Sequence, residues 1–93
     1  MQKPGVYILQ SLKNGRYYVG STNDVNRRLK EHNKGEESFT RNIRPLKLKT
    51  FISCTSLAEA RECEYRLKQY KRRDILEKVI KDGAFPWKHV EDS

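Results

Sequence analysis

The chain has 93 residues, 20 of them lysine or arginine against 12 aspartate or glutamate, giving a formal charge of +8 with 35% apolar content. That length leaves room for one hydrophobic core and excludes a second domain. Two cysteines, neither in a CxxC spacing, are too few for a disulfide scaffold and do not form a zinc pattern. The positive excess says nothing about fold but favours a polyanionic partner, of which nucleic acid is the commonest. The opening residues lack the apolar core of a signal peptide, and no run approaches membrane-spanning length, so a cytoplasmic protein with no membrane partner is expected.

In chain order, residues 5–12 and 16–21 alternate as two strands, and Asn14-Gly15 between them is a strong short hairpin signal. A two-residue turn there sets Ser11 opposite Tyr18 and Leu12 opposite Tyr17. One face then carries Val6, Ile8, Leu12, Tyr17 and Val19 as the core side. The other carries Tyr7, Leu9, Ser11, Tyr18 and Gly20. A helix is expected over Asp24–Lys34, capped by Asn23 or Asp24 and ended by Gly35, with Val25 and Leu29 apolar. Arg28 and His32, four apart, share a side of it. Residues 36–45 form a basic loop, and residues 46–53 a third strand with Leu46, Leu48 and Phe51 inward. Ser56-Leu57-Ala58-Glu59 opens a second helix as a capping box, with Leu57, Ala60, Cys63, Leu67 and Tyr70 as its apolar stripe. A third helix covers Asp74–Lys81, ended by Gly83. The whole is α+β, a small sheet covered by about three helices. A single domain over residues 1–84 is expected, with a tail over 85–93 in which Phe85, Pro86 and Trp87 lay an aromatic clip on the body.

Two phenols on one sheet face, with a guanidinium and an imidazole at helical spacing, suit phosphodiester chemistry. Arginine forks onto two phosphate oxygens and stays charged. Glu64 falls inside the apolar stripe of its helix, where a carboxylate is costly unless paired or bound to a cation. Each residue alone has an ordinary explanation: sheet tyrosines, a surface histidine, a solvated arginine, and a Glu64–Lys68 helix pair. Lys30, Lys34, Arg41, Arg44, Lys71, Arg72 and Arg73 are candidates for contacts to nucleic-acid phosphates, and a solvated face explains them equally well. Ser21 and Thr22 either meet substrate phosphate or cap the following helix. Trp87 reads as packing rather than a base-stacking platform.

Gly5-Val6-Tyr7, Tyr18-Val19-Gly20, Arg28-Leu29-x-x-His32 and Glu64, in that order, resemble the GIY-YIG endonuclease superfamily across residues 4–82. Thr40-Arg41-x-x-Arg44-Pro45 further resembles its small stand-alone bacterial members, and valine stands for isoleucine in both triplets. The resemblance implies a three-stranded antiparallel sheet flanked by helices. It implies Tyr7 and Tyr18 as active-site phenols, Arg28 on the scissile phosphate, His32 in proton traffic, and Glu64 holding one Mg2+ or Mn2+. The function so implied is a divalent-metal-dependent DNA endonuclease of repair or recombination, structure-selective or weakly sequence-specific. The alternatives are a non-catalytic nucleic-acid-binding module and an adaptor whose protein partner supplies specificity.

Overall fold

The computed structural model describes residues 3–35, 41–70 and 72–87. Their order is β1 (Gly5–Ser11), β2 (Tyr17–Thr22), α1 (Val25–Lys34), a short 3-10 turn (Arg41–Ile43), β3 (Leu46–Ser53), α2 (Leu57–Tyr70) and α3 (Arg73–Asp82). The strands form one antiparallel sheet in the order β2-β1-β3. This is the α+β architecture expected from the sequence. Thr40, Lys71 and residues 88–93 of the expected tail lie outside the described residues. Among the described residues, no helix is long and apolar enough to cross a membrane.

The hairpin differs from expectation in its register. Gln10 pairs with Tyr17 and Leu9 with Tyr18, a shift of two residues from a two-residue turn. The cause is Ser11. Its hydroxyl accepts from the backbone N–H groups of Lys13 and Asn14, both at 3.1 Å, and donates to the Ile43 carbonyl at 2.6 Å. Ser11 N–H meanwhile bonds the Arg16 carbonyl at 3.0 Å, so Leu12 to Gly15 form the loop. Leu12 is therefore 61% exposed and not part of the core face. Because the shift is even, every side chain from Gly5 to Ser11 keeps its face. Tyr7 and Tyr18 still lie on the same side.

Both faces of the sheet are covered, each by different helices. Val6 and Ile8 pack with Ala60, Cys63 and Leu67 of α2, with Val79 of α3 and with Phe85. Tyr7, Leu9 and Leu46 pack with Val25 and Leu29 of α1. A β-bulge at Lys49 explains the irregular apolar spacing of β3. Ile8 pairs with Thr50 but Leu9 pairs with Leu48, so one extra residue turns Leu46 and Leu48 to the same side as Phe51. Tyr70 departs from the expected stripe: it is 38% exposed and lies parallel to Trp87. Phe85 is buried in the α2–α3 core and stacks on Trp87 with centroids 4.9 Å apart, as the expected aromatic clip.

The helices are offset, and that offset makes the site. α2 packs chiefly on β2, whereas α1 packs chiefly on β3 on the other side of the sheet. On the α1 side, the β2 end of the sheet is thus left without a helix directly above it.

Candidate active site

A cleft of about 730 Å3 opens along β2 and is lined by Tyr7, Tyr18, Arg28, His32 and Glu64, together with Gly20, Ser21, Arg16, Lys68, Arg72 and Arg73. All five expected chemical residues therefore border one space. They reach it from two directions. Tyr7, Tyr18, Arg28 and His32 come from the α1 side, and Glu64 comes from α2 around the edge of β2.

Tyr7 is the hub. It is 5% exposed, and its hydroxyl lies 3.2 Å from His32 Nε2 and accepts from Arg28 Nε at 3.4 Å. His32 is itself only 6% exposed, because the β1 side of α1 turns it inward against the Tyr7 ring edge. A surface-histidine explanation therefore does not hold. With Arg28 donating to the phenol oxygen, the phenol proton can point at His32 Nε2, which accepts it in the tautomer protonated at Nδ1. Arg28 is braced from behind by Glu31, whose Oε1 accepts from its terminal nitrogen at 3.1 Å. Glu31 was not picked out from the sequence, although its i, i+3 spacing from Arg28 is a usable signal.

Gly20 explains why the second triplet ends in glycine. It faces Tyr7 across the ladder, and a Cβ built on it would overlap the Tyr7 hydroxyl and ring, lying 2.9 Å from Cε1. The ring of Tyr7 thus crosses β2 at the only side-chain-free position of that strand, carrying its hydroxyl to the sheet edge. Gly5 plays a matching part at the other end, where a Cβ would lie 2.5 Å from Phe51 Cζ. Tyr18 is placed nearer the hairpin, and its hydroxyl accepts from Asn14 Nδ2 at 3.1 Å.

Glu64 is half-buried with both oxygens engaged. Ser21 Oγ donates to Oε1 at 2.5 Å and Lys68 Nζ to Oε2 at 2.6 Å. The ordinary helix pair with Lys68 is present, then, and so is a link to β2 that the sequence could not show. Ser21 is taken up by Glu64, while Thr22 Oγ1 accepts from Asp24 N–H and Asp24 caps α1. A half-buried carboxylate at the cleft wall fits one hard cation completed by waters and a phosphate. Among the described residues no group of three or more histidine, cysteine or acidic side chains forms a protein cage for a metal.

The described basic candidates divide into three groups. Arg72 and Arg73 stand at the cleft with Arg16, an arginine not singled out from the sequence. Arg73 stacks over Tyr17 at 4.5 Å and donates to the Gly15 carbonyl, tying α3 to the hairpin. Arg72 forks onto Asp74 at 3.1 and 2.7 Å, and those hydrogen bonds hold the Asp74 carboxyl below its usual range. Arg41 and Arg44 instead border a separate depression with Lys13 and Asn33, where they bond the backbone carbonyls of Gly35, Arg41 and Asn33. Lys30 and Lys34 are exposed on α1 and line neither depression.

A family model described as the GIY-YIG catalytic domain matches residues 3–79. The chain is 43% identical over 68 residues to a UPF0213 protein of Halobacterium salinarum, a match spanning 72% of this chain and 87% of that one. It is 37% identical over 84 residues to a UPF0213 protein of Staphylococcus epidermidis, spanning 89% and 100%. A UPF0213 protein of Halalkalibacterium halodurans is 41% identical over 82 residues, 86% of each chain. No solved structure matches.

Proposed function

Because the chain belongs to the GIY-YIG catalytic-domain family, a family of nucleases, we propose that it is a divalent-metal-dependent endonuclease that hydrolyses DNA phosphodiester bonds in repair or recombination. It selects its substrate by backbone shape more than by sequence. The observation that carries this reading is the Tyr7 hydroxyl held between His32 Nε2 and Arg28 Nε at the wall of a cleft that Glu64 also borders.

Tyrosine is a poor base in isolation, since only about one molecule in a thousand is phenolate at neutral pH. The buried pair resolves this. As Tyr7 takes a proton from the attacking water, its own proton passes to His32, so no free phenolate need accumulate. Arg28 Nε stabilises negative charge developing on the phenol oxygen, and its guanidinium, braced by Glu31, binds the scissile phosphate. Tyr18 orients the water and phosphate from the hairpin side. Glu64 holds one Mg2+ or Mn2+, which supplies Lewis-acid stabilisation at the leaving oxygen when bound. Arg16, Arg72 and Arg73 neutralise flanking phosphates, and Lys30, Lys34, Arg41 and Arg44 extend the basic surface. The protein acts in the cytoplasm, and any protein partner would add specificity to this centre.

The test is a cleavage panel on single-stranded, duplex and branched DNA, with and without Mg2+ or Mn2+. Metal-dependent nicking that Glu64→Ala abolishes while binding persists is the expected result. Salt-sensitive binding with no nicking under any condition would refute catalysis and favour a binding module.

A further inference from the structure

Resting on the reading of Glu64 as the metal-holding residue, the geometry points to a second role inside the same cleft. Ser21 and Lys68 divide the carboxylate between them, one oxygen each. The two partners differ in kind. Ser21 is a neutral hydroxyl on a strand fixed by the ladder, and its bond leaves Oε1 with a further lone pair for another donor or cation. Lys68 is a full positive charge on a flexible stem, 52% exposed beside a carboxylate that is 21% exposed. An ammonium at 2.6 Å and a divalent ion on the same carboxylate repel each other, modestly because Lys68 is half exposed to screening solvent. We propose that Lys68 is a built-in counter-ion: it occupies Glu64 until a divalent cation displaces it, and so sets the affinity of the centre for metal. Ser21 keeps the carboxylate aimed into the cleft during the exchange. A lysine that did not compete for the Glu64 carboxylate would leave metal affinity unchanged, apart from the effect of net charge.

The experiment is a Mn2+ titration of the whole chain without nucleic acid, following the free-ion EPR signal. It compares wild type with Lys68→Met, Lys68→Arg, Glu64→Gln and Lys47→Met. Lys47 is exposed on β3, outside the cleft, and its loss changes net charge equally. Lys68→Met should bind Mn2+ about two- to fivefold more tightly, the range expected for releasing a surface ion pair. Lys68→Arg should stay near wild type, and Lys47→Met should gain less than Lys68→Met. Unchanged or weaker binding by Lys68→Met overturns the proposal, as does an equal gain from Lys47→Met. If binding depends on Glu64 but not on Lys68, only the counter-ion role falls. If no variant shows Glu64-dependent binding, the metal reading of Glu64 falls and takes this inference with it.

Discussion

Replacing Gly20 with alanine adds one methyl group where the Tyr7 ring crosses β2. A normal carbon contact needs about 3.5 Å, so the ring must retreat by about 1 Å at its hydroxyl end. The hydroxyl is held by bonds of 3.2 and 3.4 Å, the second already near the limit for a hydrogen bond. A retreat of that size breaks at least one of them and misplaces the phenol relative to Arg28. Misplacement on this scale costs about a hundredfold in turnover. The overpacking itself should cost about 1–3 kcal/mol of stability, which for a domain this small lowers the melting temperature by roughly 5–20 °C. Single-turnover cleavage, run well below the melting point of the variant, separates the two effects. Adding Tyr7→Phe removes one of the atoms the methyl group strikes, so the double variant should regain about 1 kcal/mol without regaining activity. Cleavage by Gly20→Ala within about threefold of wild type, with no change in melting temperature, would refute the seating of Tyr7 across β2.

Tyr7→Phe alone should reduce turnover by about a hundredfold or more while retaining DNA binding, measured by single-turnover kinetics and fluorescence anisotropy. Ser11→Ala removes an acceptor shared by two N–H groups and a donor to the Ile43 carbonyl, and should cost about 1–3 kcal/mol by denaturant unfolding. Arg73→Ala should lower the slope of log affinity against log salt by about 0.9 if the side chain meets one phosphate, which binding titrations at several salt concentrations measure.

The sequence made the two faces of the sheet legible because strand alternation survives a register shift of two. It did not reveal the shift itself, since that depends on Ser11 reaching Ile43 across 32 residues. Arg28 and His32 could be paired from spacing alone. The burial of His32 could not, because it follows from α1 docking on the β3 side, a tertiary choice. The role of Glu64 was suggested by a charge on an apolar stripe. Its bond to Ser21 joins residues 43 apart and leaves no local trace. The bulge at Lys49 was visible only as broken alternation in Leu46, Leu48 and Phe51.

The cleft borders β2, an outer strand of the sheet with a neighbour on one side only. Proteins usually blunt such a border by covering it, but a lid here would shut out a nucleic-acid backbone. Charged side chains along it, among them Arg16, Arg28, Arg72 and Arg73, are the kind of edge feature that disfavours pairing with another copy of the same strand. Engineering away those charges would, by the same stroke, invite the molecules to zip together.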